Sequence, residues 1–391
     1  MIYLDATLAR TRRAFDAFAA RCRSGEIAYR LTPADDESPY ARCFGIYCRH
    51  LTGDRIPEHE HRALALAIRQ GIRDYRTRDI DTRAKGYRQL LAFSLSALSV
   101  LGALREDPLE ELVREQIPDS IQAGLDSYGC LEGRPGSGNQ AMFTAVFLLH
   151  SRDQLGLDVG EKLDEWTSLH VRAMNRFGFW GDDQGMTHLQ FQNGYHQYEI
   201  LEYLNASNPR LRESIAAVRS LADADAHFAP YPGGGGCYDY DAVFLLTPNG
   251  MLPDDDDETR AVLTRTANTL VAEQLPDGGF AESLSVRPRS GRQIRRAIAH
   301  VVHSHNPRLF AERLRYALTL QRPKHSSIRT HWSPYARRWD ESDLWDSWFR
   351  MMTLARIQTA FDASAAANWG FLNYPGIGYH PSVRKGWPGA E

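Results

Sequence analysis

The sequence predicts an all-α protein, an (α/α)6 toroid of alternating inner and outer helices in a single domain over residues 1–391. Three observations carry that expectation. Alternating β-branched runs joined by hairpin turns are nearly absent. Six long apolar segments recur, each entered through a short polar or Gly/Pro-containing stretch and an aromatic, polar first turn. The first five start roughly 50 residues apart with more polar amphipathic segments between them, which is the signature of a helical-hairpin repeat.

In chain order the apolar segments are SPYARCFGIYCRHL (38–51), GYRQLLAFSLSALSVLGAL (86–104), SGNQAMFTAVFLLH (137–150), QNGYHQYEILEYL (192–204), CYDYDAVFLL (237–246) and SDLWDSWFRMMTLARI (342–357). Each is apolar all round and reads as a helix buried on every side. Segments such as HRALALAIRQGIRDYRT (61–77), DEWTSLHVRAMNRF (164–177) and DETRAVLTRTANTLVAEQL (257–275) carry one apolar stripe and read as the outer partners. An open superhelix of the HEAT type would have shorter repeats and no consistent polar residues at one end of the inner helix. The gap before the sixth apolar segment is about twice the others. The stretch 290–341 that fills it reads as an insertion with its own helix, placed to act as a lid.

Hydrophobic residues make up 43% of the chain and charged residues 24%, as in a soluble globular protein. The formal net charge of -3 gives no reason to expect nucleic acid or an anionic membrane as partner. The five cysteines are odd in number and irregular in spacing, with no CxxC pair, which suits a reduced cytoplasm. The N-terminal MIYLDATLARTRRAF has no apolar core before a small-residue cleavage site, so no signal peptide is expected. The most apolar window, LLAFSLSALSVLGAL (90–104), is short and contains serines, and reads as a buried helix, so no membrane span is expected.

In a toroid the inner helices run parallel, and their first turns meet at one end of a central cavity. That geometry would gather Tyr40 and Arg42; Tyr87, Arg88 and Gln89; Asn139 and Gln140; Asn193, Tyr195, His196 and Tyr198; Tyr238, Asp239, Tyr240 and Asp241; and Asp343, Trp345, Asp346 and Trp348. Asp and Asn in a first turn also serve as helix caps and favour the positive end of the helix dipole. Capping accounts for any one of them; six such turns with interleaved aromatics point to a site. The candidate catalytic residues are Asp239, Asp241, His196 and Tyr195. The candidate substrate-binding residues are Asn139, Gln140, Asn193, Tyr198, Tyr240, Trp345, Asp346 and Arg88. Trp345 and Trp348 could stack on a sugar ring or stabilise a cation. Their spacing, on one face with Met352, equally fits core packing.

The run QLPDGGF (274–280) closes an amphipathic helix with a Pro-Asp-Gly-Gly turn and an aromatic anchor. It resembles the QxxDGGW-type motif of terpenoid cyclases and protein prenyltransferase subunits, and GFWGDD (178–183) resembles a degenerate copy. The resemblance implies a toroid of helical hairpins. Class II terpene cyclases place an Asp-rich DxDD motif where an inner helix enters the cavity, and its acid protonates an alkene or epoxide. YDYDAVFLL offers Asp239-x-Asp241 without the adjacent Asp of that pattern. In protein prenyltransferases a Cys joins an Asp and a His on zinc; here Gly235 stands where the Asp would be, and no metal or cofactor is expected. The run LPDDDDETR (252–260) holds a nominal DDxxE, the magnesium–diphosphate pattern, but its place before an amphipathic helix suits a cap.

A second resemblance runs through QGMTHLQFQNGYHQYE (184–199), GSGN (136–139) and SGRQIRR (290–296). These are similar to the Asn, His, Tyr and Arg set of toroidal polysaccharide lyases, in which a neutralised uronate carboxylate makes the neighbouring carbon acid enough to lose its proton. Asn139, His188 or His196, Tyr195, and Arg292 or Arg296 would fill those roles. The basic segment also reads simply as a solvated helix.

The leading expectation is an intracellular biosynthetic enzyme resembling terpenoid cyclases and prenyltransferases, with acid-assisted chemistry on an isoprenoid-like intermediate in a central cavity. The alternatives are a carbohydrate-active lyase, hydrolase or epimerase on an acidic sugar, and a toroidal binding protein without catalysis. The expected partner is a small-molecule or oligosaccharide substrate, and the expected location is the cytoplasm.

Overall fold

The structure, a computed structural model, describes residues 2–381 apart from 79, 254–255, 289 and 330–331, with the side chains of residues 2–5 outside the described set. The α-helices are α1 (Ile2–Arg21), α2 (Pro39–Thr52), α3 (Glu58–Arg76), α4 (Lys85–Val100), α5 (Glu110–Arg114), α6 (Ile121–Tyr128), α7 (Ser137–Asp153), α8 (Gly160–Arg172), α9 (His188–Tyr203), α10 (Leu211–Arg219), α11 (Gly236–Leu246), α12 (Asp257–Glu273), α13 (Gly291–Val302), α14 (Pro307–Thr319) and α15 (Leu344–Phe361). The strands are short: β1 (Phe280–Ala281), β2 (Ser327–Arg329), β3 (Ala336–Arg338) and β4 (Ser342–Asp343). β1 pairs antiparallel with β4, and β2 with β3. The chain is all-α, as its periodicity predicts, and each of the six apolar segments forms a helix.

The chain divides into two compact units. One comprises Met1–Asp54, Gln184–Leu189 and Ile215–Gly370; the other comprises Arg55–Asp183, Gln190–Ser214 and Phe371–Glu391. In the first unit α2, α11 and α15 are buried almost all round, and α1 and α12 pack on them from outside. Local chemistry sets the helix ends. Ser38 caps α2 by accepting from Ala41 N at 3.1 Å, Pro39 opens the first turn, and Gly53 closes the helix with φ 68°. Asp343 caps α15, accepting from Asp346 N at 2.8 Å. Phe15, Phe18, Phe44, Tyr240, Trp348 and Phe349 fill the space between these helices with almost no exposure. Each such ring contributes about 1.5–3 kcal/mol through the apolar area it removes from water.

The QLPDGGF segment is the turn its sequence predicts. Gly278 takes φ 89°, and a Cβ there would lie 2.0 Å from the carbonyl oxygen of Ala14. The turn therefore docks directly on α1, and Phe280, 1% exposed, anchors it. Residues 290–341, expected to hold one helix, hold two, α13 and α14, followed by the β2–β3 hairpin. Ser290 opens α13 with a capping box to Gln293.

In the second unit α4 and α7 are buried nearly all round, and α3, α6 and α8 each pack through one face. Leu64, Ala65, Ile68 and Ile72 make the buried stripe of α3. Trp166 of α8 donates to Ala141 O at 3.2 Å, and Trp180, within GFWGDD, donates to His170 O at 3.0 Å. That fragment turns through Gly178 and Gly181, both at positive φ. Within each unit, helices buried all round thus alternate with helices buried on one face.

Candidate functional site

Four glycines decide how α11 begins. Gly233 and Gly234 have φ of 88° and 80°, which side chains rarely adopt. A Cβ on Gly234 would lie 2.5 Å from His227 Nδ1 and 2.6 Å from Asp239 Oδ2; one on Gly236 would lie 2.5 Å from Asp346 Oδ1. The loop is bare because the side chains of His227, Asp239, Glu282, Asp346 and Arg350 press against its backbone.

Asp239 is fully buried. Its Oδ1 accepts from Phe228 N at 2.9 Å, and its Oδ2 meets His227 Nδ1 at 2.9 Å and the guanidinium of Arg350. Arg350 also donates to Gly233 O at 3.1 Å, tying the glycine loop to α15. The other nitrogen of His227 faces Glu273 Oε2 at 3.2 Å, and Glu273 pairs with Arg296 at 2.7 Å. Burial opposes a charge on His227, but Glu273 and Asp239 outweigh it and lift the imidazole to about 10. Burial likewise works against charge on Glu273, and the facing His227 overrides it and holds the carboxyl down at about 2. Arg350–Asp239–His227–Glu273–Arg296 is therefore a row of alternating charges, buried at Arg350, Asp239 and His227 and half-buried at its Arg296 end.

A second cluster sits at the start of α15. Arg337 reaches Glu282 at 3.3 Å and Asp346 at 3.1 Å, and also contacts Asp343. Asp343 and Asp346 are fully buried, and Glu282 is 13% exposed at its side chain. Glu282 and Asp346 lie close enough for each carboxyl to act on the other. Burial, and then the charge of Asp346, push Glu282 up to about 8. Burial pushes Asp343 well above the usual carboxylate range against the pull of Arg337. Burial also opposes a charge on Asp346, yet Arg337 and the neighbouring carboxyls hold it below that range. Glu282 and Asp343 are thus held toward their protonated forms beside an ionised Asp346.

Aromatic rings adjoin this cluster. Tyr40 stacks on Trp332 with centroids 3.9 Å apart and on Trp345 at 5.7 Å; Trp345 lies 5.0 Å from Phe44 and 4.8 Å from Phe349. Burial pushes the Tyr40 phenol well above its ordinary value, with Arg337 and Asp343 close enough to act on it. Tyr238 is raised in the same way, first by burial and then by Cys237, Tyr316, Glu282 and Asp241. Asp241 is 1% exposed. Tyr240 packs against Phe349 at 5.7 Å and is fully buried.

The second unit holds the remaining candidates. Asn139 Nδ2 donates to His196 Nε2 at 2.8 Å, and burial, with the charge of Lys85, depresses His196 to about 3, so its ring is neutral. Asn139 Oδ1 and His196 Nδ1 are buried and make no hydrogen bond. Arg88 donates to Gln140 Oε1 at 2.5 Å and Thr144 Oγ1 at 2.8 Å, its guanidinium over Phe147 at 5.5 Å; burial lowers it to about 10. Asn193 is spent on structure: its amide accepts from Gly136 N at 2.9 Å and donates to Arg134 O at 3.0 Å. Tyr195 donates to Glu199 at 2.9 Å, and Tyr198 donates to Gly178 O.

The other motifs have local duties. His188 faces Arg313 at 3.1 Å, and Arg296 is the end of the charge row. Asp256 caps α12 through Thr259 N at 2.9 Å; Asp254 and Asp255 of the nominal DDxxE lie outside the described residues. Among the described residues no group of three or more His, Cys, Asp and Glu side chains is placed to hold a metal ion, and no helix is long and apolar enough to cross a membrane. His227, Glu273, Glu282, Arg337 and Arg350 were not singled out from the sequence. His227 and Glu282 lie in irregular segments, and Arg350 reaches Asp239 from 111 positions away.

No known family profile matches this sequence, and no curated protein matches it either. Solved structures do. A variant of the type II terpene cyclase MstE from Scytonema, in complex with geranylgeranyl dihydroxybenzoate, aligns over 94% of this chain and 99% of its own at 15% identity and a TM-score of 0.49. Another MstE variant, in complex with merosterolic acid A, aligns over 94% and 99% at 14% identity and a TM-score of 0.46. A protein from Actinoplanes aligns over 90% of this chain and all of its own at 14% identity and a TM-score of 0.45. The solved structures this all-α chain is similar to thus include type II terpene cyclases.

Proposed function

We propose that the chain is a class II terpenoid cyclase-like enzyme, a single (α/α)6 toroid that starts the cyclisation of an isoprenoid-like substrate by proton transfer. The observation that carries this reading is the cluster of Glu282, Asp343 and Asp346 on Arg337, beside the rings of Tyr40, Phe44 and Trp345. Protonating an alkene or epoxide needs a carboxylic acid that stays protonated at neutral pH in a dry place. Glu282, pushed up to about 8 by burial and by the charge of Asp346, meets that need. In the step itself the acid O–H bond breaks and the proton bonds either to an alkene carbon, using the π pair, or to an epoxide oxygen, which keeps the electrons of the C–O bond that opens; a carbocation is left on the substrate and a carboxylate on the protein. The neighbouring aromatic faces attract that cation. Arg337 then stabilises the carboxylate left behind. Asp241, close to Tyr238 with Glu282, belongs to the same acidic group in this reading, and Asp239 fixes the glycine loop through Arg350 and His227.

The test is turnover of a geranylgeranyl-bearing aromatic or another polyprenyl substrate, followed by mass spectrometry of cyclised products. Glu282→Gln and Asp346→Asn should each reduce turnover by about 100-fold or more. Wild-type turnover in both variants would remove the proposal.

One observation favours a second reading. Asn139 Oδ1 and His196 Nδ1 are both buried without hydrogen-bond partners, as expected if a polar substrate group completes them. A carbohydrate-active enzyme would use this pair, and saccharide binding that His196→Ala abolishes would support it over the cyclase.

A further inference from the structure

The α13–α14 hairpin is amphipathic the wrong way round. Its inner side is ionic: Arg296 pairs with Glu273 at 2.7 Å, His300 Nδ1 meets Asp223 at 3.0 Å, and Arg313 donates to Leu221 O at 2.7 Å. Glu312 accepts from His188 N at 2.7 Å and from Leu189 N at 3.1 Å. Its outer side is apolar. Ile294, Ile298 and Val302 recur every four residues on α13 and are 50%, 58% and 65% exposed. Phe310, Leu314 and Leu318 do the same on α14, at 42%, 38% and 64%. Between the helices lies an apolar groove of about 420 Å³, lined by Tyr231, Val286, Ala297, Val301, Ala317 and Leu320 among others. A folded chain rarely leaves so continuous an apolar face open unless something covers it.

Charge identifies what covers it. Between residues 290 and 325 the sequence carries seven Arg and one Lys against a single acid, Glu312, in a chain whose net charge is -3. The overall balance hides this local excess. Arg296 and Arg313 are used inside, but Arg292, Arg295, Arg315, Arg322 and Lys324 are exposed around the apolar face. A second copy docked through the same face would bring those basic side chains toward their own counterparts. An anionic lipid surface satisfies both features: its acyl boundary takes the apolar ridges, and its headgroups take the basic rim.

We propose that the α13–α14 hairpin is a peripheral docking surface for an anionic lipid bilayer. The hairpin lies flat, with Ile294, Ile298, Phe310, Leu314 and Leu318 entering the headgroup–acyl boundary. The groove between the helices gives an acyl or prenyl chain a place to leave the bilayer.

Co-sedimentation of the full chain with phosphatidylcholine vesicles, with and without phosphatidylglycerol, tests this without reference to turnover, so it stands apart from the cyclase reading. The full chain should pellet with the phosphatidylglycerol vesicles and release as salt rises. The triple variant Ile298→Ser, Leu314→Ser, Leu318→Ser should lose about tenfold or more in partitioning, and so should Arg292→Glu, Arg295→Glu, Arg315→Glu. All these sites are exposed, so both variants should keep the wild-type melting temperature. Absence of binding to the anionic vesicles overturns the proposal, as does undiminished binding by either folded variant. Light scattering that shows a wild-type dimer, a monomeric serine variant and no vesicle binding would assign the face to a second copy and likewise overturn it.

Discussion

Gly236→Ala sets two opposing effects against each other at the start of α11. Alanine is the better helix former, by about 1 kcal/mol. Its Cβ, however, would lie 2.5 Å from Asp346 Oδ1 and 2.9 Å from Asp346 Cα. The second contact is to backbone, so no rotamer of Asp346 relieves it, and α11 and α15 must separate. Overpacking of this kind costs about 1–3 kcal/mol. Disturbing the hydrogen bonds of a buried carboxyl adds about 1–3 kcal/mol more. The net expectation is a loss of about 1–5 kcal/mol once the propensity gain is deducted. Urea denaturation followed by circular dichroism measures it. Gly291→Ala is the internal control: it stands in the first turn of α13 with nothing within 4 Å of the added Cβ, and should gain up to about 1 kcal/mol. If Gly236→Ala is as stable as wild type, or gains like the control, the close approach of α11 to α15 is wrong.

The remaining predictions concern charge. His227 is raised from 6.5 to about 10, so its contribution to stability is whole below pH 6.5 and disappears as pH climbs to 10. Glu282 is raised from 4.5 to about 8, so the unfolded chain releases that proton first and stability falls between those values. Both slopes have the same sign between pH 6.5 and 8; denaturation midpoints should be higher at pH 6 than at pH 9, and His227→Gln should flatten the upper part of the profile. A pH-independent midpoint would contradict the assignment. Arg350→Met leaves Asp239 and the Gly233 carbonyl without their guanidinium and should cost about 3–5 kcal/mol in chemical denaturation. Arg88→Met, by contrast, replaces a buried cation already lowered to about 10 and stacked among aromatic rings, so its loss should be smaller than that of Arg350→Met in the same assay.

What the sequence disclosed depended on whether the signal was local. Helices α2, α4, α7, α9, α11 and α15 announce themselves because an apolar run of ten or more residues has few other homes. The caps at Ser38, Asp256 and Asp343 follow from the same local rule. The two acids of YDYD were visible as misplaced charge, but their environment was not. Asp239 meets Arg350, 111 positions later, and Arg337, which holds Asp346, also holds Glu282, 55 positions earlier. No periodicity encodes such pairings. The irregular HFAPYPGGGG hides His227 for the same reason: only its tertiary neighbours, Asp239 and Glu273, give the imidazole its charge. Asn193 and Tyr198, site candidates by position, hydrogen-bond to nearby backbone, since a polar first turn satisfies neighbouring carbonyls as readily as a ligand.

The split of the first unit along the chain has a consequence for its birth. Gln274 donates to Thr11 O across 263 positions, Leu344 N reaches Leu31 O at 2.8 Å, and Gly370 N reaches Leu51 O at 2.9 Å. During synthesis α1 and α2 emerge first, with Phe15, Phe18 and Phe44 still lacking the helices that bury them, and they must wait for α12 and α15. Such long-range closure is slow because the entropy of the intervening chain is lost before any contact rewards it. The second unit draws most of its residues from one continuous stretch, Arg55–Asp183, and waits for the chain end only at contacts such as that of His150 with Tyr374. Nascent chains arrested before residue 340 should therefore bind holdase chaperones through their first fifty residues, and release them only when α15 has left the ribosome.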